Sequence, residues 1–288
     1  MDGCSSPVLL ISSAADTASM NIREALLSVQ TWKETNRLWD NPLMVSEDGI
    51  YLALLPDEHL YHDNVDKDAL EAGLKPKLVV FLSRHRSEAG TRSLTIHPIG
   101  NYGNNDFGGR PRRLVPSAPR EMANLLRALK ESAREMEYAV TYEVTHHGPY
   151  LETPTMFVEI GSQEKEWEKQ EAGRAIARAI SMTNMGGCGD DITLVGVGGG
   201  HYAPRFSDII FKKKACFGHM VPAYALENAD EQEAENILRM ALDATPEAQG
   251  VYIHKKGLKS REKQVVASAL EEIGARVLGT GDLEDRGE

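Results

Sequence analysis

Apolar positions along this chain follow two rhythms. Val8-Leu9-Leu10-Ile11 is a continuous apolar run closing on Ser12-Ser13, which predicts a strand buried on both faces. Asp16 or Ser19 can then cap a helix that carries Ala18, Ile22, Ala25, Leu26 and Val29 along one face. A buried strand followed by an amphipathic helix is the βα unit of an α/β sheet. Similar runs predict strands at 50–55, 78–82, 94–97, 139–144, 155–160, 192–197, 209–211 and 251–253. Helical spacing appears at 120–135, 163–181 and 261–273, and again from Asp230, where Glu233 completes a capping-box pattern. Strands and helices interleave throughout, with no internal repeat and no low-complexity linker. The expected architecture is α/β: a single compact domain over 1–278 with a mostly parallel or mixed sheet flanked by helices. Residues 279–288 are acidic and Gly-rich, and are expected to form a frayed tail.

Composition narrows the function classes. The chain has 288 residues, 41% hydrophobic and 26% charged, with a net charge of -11, so a basic protein that coats nucleic acid is excluded while a local basic patch is not. Aromatics make up 6%, so dense platforms for stacking nucleobases are not expected. Three cysteines, Cys4, Cys188 and Cys216, form no C-x-x-C pair and no disulfide framework. The start lacks the basic residues and long apolar core of a secretory signal, and no apolar stretch reaches membrane-spanning length. These features predict a cytoplasmic protein with no membrane partner.

Candidate chemistry collects where predicted strands end, the usual ligand crevice of an open α/β sheet. His85 follows the run 78–82, His146 and His147 follow 139–144, and His201 follows 192–197 through Gly198-Gly199-Gly200. The glycine run fails the dinucleotide fingerprint, since its third glycine would fall at His201, and Pro204 argues against a helix directly after it. Neutral imidazoles and carboxylates suit zinc, and His146, His147, Glu152, Glu159, His201 and His219 are ligand types; Cys216-x-x-His219 has ligand-like spacing. Adjacent side chains on extended backbone face opposite sides, so one of His146 and His147 is expected in the site and the other outside it. No G-x-S-x-G elbow and no catalytic-cysteine context exists, which favours an activated water over a covalent intermediate. The loop 98–119 is long for a compact domain, and its Arg110, Arg112 and Arg113 are candidates for phosphate contacts.

Longer strings carry a resemblance. Leu82-Ser83-Arg84-His85-Arg86-Ser87-Glu88, Thr145-His146-His147-Gly148-Pro149, Met156-Phe157-Val158-Glu159-Ile160-Gly161-Ser162 and Gly198-Gly199-Gly200-His201-Tyr202-Ala203-Pro204-Arg205-Phe206 resemble the archaeal and plant type of D-aminoacyl-tRNA deacylase. Asn21 to Leu26, Ile96 to Gly103 and Phe217-Gly218-His219 extend it across nearly the whole chain. The resemblance implies a fold similar to phosphorylases and peptidyl-tRNA hydrolase, a zinc requirement, and hydrolysis of the ester between a D-amino acid and the 3′ end of tRNA, with no role on DNA. On that reading His146, His147, His201 and Glu159 are the catalytic candidates. His146, His201 and His219 are the metal candidates. Arg84, His85, Gly199, Gly200 and Arg205 are the candidates for substrate contacts, the glycines by offering N–H groups to an oxyanion. A monomer is expected. A nucleoside phosphorylase-like enzyme and a non-catalytic module binding tRNA ends are the rival readings.

Overall fold

The computed structural model describes residues 7–88, 90–185 and 189–287; Cys4 and Cys188 lie outside the described residues. Val8–Ser13 is fully buried and takes an inner position in an eight-stranded sheet. From one edge, that sheet runs Trp32–Leu38, Asn41–Ser46, Ile50–Leu55, Val8–Ser13, Leu78–Arg86, Thr155–Ser162, Ser93–His97 and Ala139–Tyr142. Its inner pairs Val8–Ser13 with Ile50–Leu55, Val8–Ser13 with Leu78–Arg86, and Leu78–Arg86 with Thr155–Ser162 are parallel, whereas Ser93–His97 runs antiparallel to Thr155–Ser162. The mixed, mostly parallel sheet is thus the expected one. Helices Thr17–Val29, Pro119–Ser132 and Gln170–Met182 pack together on one face, and Asp16 caps the first by accepting from the Ser19 N–H.

A second, four-stranded parallel sheet has the order Ala215–Val221, Ile192–Val197, Gly250–Ile253, Val277–Leu278. The two sheets share one core: Leu194, Phe206, Phe217 and Tyr252 belong to the same buried cluster as Ile96, Leu126 and Tyr142. The segment after Ala139–Tyr142 joins them. Glu143 N–H donates to the Ile96 carbonyl on one side, while Val144 N–H donates to His201 and Thr145 N–H to Met220 on the other.

Four local expectations are corrected. Residues 209–211 are helical, inside Pro204–Lys212, because proline at the first helical turn starts a helix rather than blocking one. The strand of that region is Ala215–Val221, which the ligand-like spacing of Cys216 and His219 had masked. The helix expected over 163–181 is two helices, Glu164–Trp167 and Gln170–Met182, since Asn21 Nδ2 donates to both the Trp167 and Lys169 carbonyls at the break. The chain beyond Gly279 packs down: Leu283 is buried, and Glu284 and Asp285 pair with Lys214 and Lys213 at 2.7 Å each. The hairpin Trp32–Leu38/Asn41–Ser46 had no forecast; its first strand is mostly exposed and lacks apolar alternation, and it turns on Trp39 and Asp40 at positive φ.

Candidate active site

Five elements bring their side chains to one point. His85 stands near the end of Leu78–Arg86, His97 ends Ser93–His97, and Glu159 lies in Thr155–Ser162 between Ser83 and Thr95 of its neighbours. Glu143 and His146 come from the joining segment, and His201 from the loop after Ile192–Val197. Glu143 is fully buried and touches three rings: His85 Nδ1 at 3.3 Å, His146 Nε2 at 3.4 Å and His201 Nε2 at 3.0 Å. Glu159, equally buried, sits 3.5 Å from His85 Nδ1 and 3.7 Å from His97 Nε2. Burial by itself would raise the Glu159 carboxyl, but His85 and His97 outweigh it and hold it well below the usual carboxylate range. Burial likewise pulls His85 and His97 down, yet the carboxylates beside them leave both raised. At His146 and His147 burial, with the neighbouring imidazoles, outweighs the nearby carboxylates and lowers both, His147 to about 3.

His146 and His147 both enter the site, which overturns the expectation from alternation. Their ring centroids are 4.1 Å apart, and His97 lies 4.1 Å from the first and 5.1 Å from the second. His147 has φ +29, so the chain is no longer extended there and the second ring swings back to the first.

The arrangement is suited to a cation. His97 and His146 donate their Nδ1–H to backbone carbonyls, Pro98 O at 3.1 Å and Val144 O at 2.7 Å. That fixes Nε2 of each toward the cluster, as a carbonyl accepting from the far ring nitrogen does for metal-binding imidazoles. There, His97 Nε2, His146 Nε2, His147 Nδ1, His201 Nε2 and all four oxygens of Glu143 and Glu159 are buried, and apart from the ion-pair contacts of 3.0–3.7 Å among themselves they have no hydrogen-bond partner. So many orphaned acceptors in one place are costly unless a shared positive charge satisfies them. Three groups have ligand atoms mutually within 4.8 Å: His97, His146 and His147; His85, Glu143 and His201; and His97, Glu143 and Glu159.

The cluster opens into a cavity of about 940 Å³, also lined by His59, Arg84, Arg86, Arg112 and Tyr102. Arg84 is held by Glu58 at 2.9 Å and by the Ala15 carbonyl. Arg112 pairs with Glu233 at 2.6 Å, and Arg110 instead lies over the Tyr150 ring at 3.9 Å. Three candidates are elsewhere. His219 uses both nitrogens, accepting from Thr145 Oγ1 and donating to Val115 O, which leaves none for a metal. Cys216 faces Thr193 instead of His219, and burial pushes its thiol up to about 11. Arg205 binds the Tyr252 hydroxyl and Thr280, away from the cavity. Gly199 cannot offer an oxyanion donor, because its N–H donates to Gly257 O; Gly200 is exposed at the rim of the loop. The search of strand ends had missed His97, the last residue of the predicted strand 94–97. It also missed Glu143, whose signal was one carboxylate inside an otherwise uncharged strand run.

The lower wall depends on a close approach. Gly108 has φ +85, and a Cβ there would overlap the Leu60 carbonyl. Gly108→Ala should therefore lower the unfolding free energy by about 2–4 kcal/mol, from backbone strain plus overpacking, and raise KM as the wall shifts. Denaturant melts and steady-state kinetics check both.

Buried carboxylates and imidazoles beside an open cavity on an α/β scaffold mark a candidate enzyme centre, and comparison with known proteins identifies its class as a hydrolase. A family model described as D-aminoacyl-tRNA deacylase matches residues 72–278. The D-aminoacyl-tRNA deacylase of Methanosarcina mazei is 35% identical over 97% of this chain and 94% of its own length. That of Pyrococcus furiosus is 33% identical over 92% and 97%. A crystal structure of a conserved protein of unknown function superposes with a TM-score of 0.84 at 32% identity, covering 98% of this chain and 99% of the other. The chain belongs to the D-aminoacyl-tRNA deacylase family. No helix among the described residues is long and apolar enough to cross a membrane.

Proposed function

We propose that the chain hydrolyses the ester between a D-amino acid and the 3′-terminal ribose of tRNA, with a divalent cation, zinc by its donor chemistry, held by His97, His146 and His147. The observation that carries this is the set of orphaned Nε2, Nδ1 and carboxylate atoms at the floor of the cavity. Neutral imidazole is the form that binds a metal, and burial already keeps His146 and His147 neutral. Bound there, the cation supplies Lewis acidity to the ester carbonyl.

The remaining work falls to the chain itself. His201 is the most exposed of the cluster, with 38% of its side chain open, and Glu143 holds its Nε2. That pair accepts the proton of the attacking water and returns one to the departing ribose oxygen as the acyl C–O bond breaks. Glu159 is held too acidic for a base, so it orients His85 and His97.

Matched D- and L-aminoacyl-tRNA incubated with purified protein, with and without chelator, tests this. The D ester should be cleaved and the L ester spared, and chelation should stop cleavage until zinc is restored. Equal cleavage of both, or turnover untouched by thorough chelation, would overturn it.

A further inference from the structure

We propose that Tyr61, Phe107 and Tyr224 form an aromatic collar that stacks on the unpaired nucleobases of the tRNA 3′ end as it enters the cavity. The inference rests on the deacylase reading and extends it to substrate recognition.

Exposure is the first observation. Tyr61, Phe107 and Tyr224 are 63%, 62% and 53% exposed, and they are the large exposed aromatic side chains among the described residues. All three line the same cavity, the one above the histidine cluster. The other large exposed apolar residues, Leu27, Val29, Leu70, Met182 and Val277, do not line it. In a chain with only 6% aromatics, that concentration marks a binding surface. The sparse composition had argued against stacking platforms, but the few exposed rings share one rim.

Attachment is the second. Each ring projects from backbone tied to the cluster. Tyr61 closes the single turn His59–Tyr61, whose His59 ring is buried 3.0 Å from Ser83 Oγ and against Phe157. The Phe107 carbonyl accepts from Gly148 N–H, next to His147. Tyr224 lies in Ala223–Leu226, and Ala223 N–H donates to the Gly199 carbonyl, two residues before His201. Gly108 pressed onto Leu60 brings the Phe107 and Tyr61 segments together.

Charge is the third. Arg86 is exposed on the cavity wall and has no ion pair among the described residues, whereas Arg84 and Arg112 are occupied by Glu58 and Glu233. Exposed π-faces beside an uncommitted guanidinium match a single-stranded nucleotide end, with bases on the rings and a phosphate at the cation. Stacking accepts any base, which suits an enzyme that meets many tRNAs through one common end.

The test replaces each ring by leucine, singly and together, keeping apolar bulk and removing the π-face. Steady-state kinetics are run on D-alanyl- and D-tyrosyl-tRNA, and a fluorescent CCA trinucleotide reports binding to wild type and variants. Circular dichroism confirms folding. Each replacement should raise KM by about 5- to 100-fold with kcat little changed, equally for both amino acids, and weaken trinucleotide binding by a similar factor. Unchanged KM would overturn the collar. A loss confined to the tyrosyl substrate would assign the rings to the amino-acid side chain and also overturn it. Trinucleotide binding is independent of turnover: if the wild type cleaves no D-aminoacyl-tRNA, the deacylase reading fails, while loss of trinucleotide binding in the triple variant still supports the collar and its retention removes it.

Discussion

Glu143→Gln should lower turnover of D-aminoacyl-tRNA by about 10²–10³-fold in a folded protein. Glutamine keeps the volume, so no cavity is opened in the core. What disappears is the one charge shared by His85, His146 and His201, at 3.3, 3.4 and 3.0 Å. His201 then loses the carboxylate that holds its ring and balances the charge it gains on taking a proton. His146, one of the three proposed donors, also loses the carboxylate beside its Nε2, so metal content should fall with kcat. Removing one partner of a buried ion pair can cost about 3–5 kcal/mol, but Glu159 remains beside His85 to balance it, and the fold is expected to survive with a lowered melting temperature. Kinetics, metal analysis and a thermal melt decide the matter. A folded variant with near wild-type turnover would make Glu143 a structural residue.

His146→Ala and His147→Ala should fail together, each losing about 10²-fold or more in turnover along with bound metal. On extended backbone only one of two adjacent side chains could face the cation. Here the positive φ at His147 folds the pair back, and both rings stand within reach of His97. Each deletion removes one of three imidazoles from the same group, so neither is spared. Measuring kcat, zinc content and melting temperature for both variants separates this from the alternation picture, in which one variant would keep its metal.

The sequence reading captured the βα rhythm because buried parallel strands are written as continuous apolar runs, and Val8–Ser13, Ile192–Val197 and Thr155–Ser162 are of that kind. It missed Trp32–Leu38, whose exposed polar residues give no period to read. It gave 209–211 to a strand because three apolar residues fit either element, and only the contacts of Phe206 and Ile210 with the core settle the helix. The site was half legible. Histidines at strand ends led to one crevice, where the structure brings His85, His146 and His201 together. Glu143 was not found because burial of a charge is a tertiary fact, and His219 was overvalued because hydrogen bonds to Thr145 and Val115, distant in sequence, consume its nitrogens.

The segment that stitches the two sheets has a consequence for how the activity is born. Glu143 meets His85 from one sheet and His201 from beyond the other, so the cluster exists only after long loops on both sides have closed. A chain caught partway, with helices wound and one sheet paired, has no assembled cluster with which to capture a metal or cleave an ester.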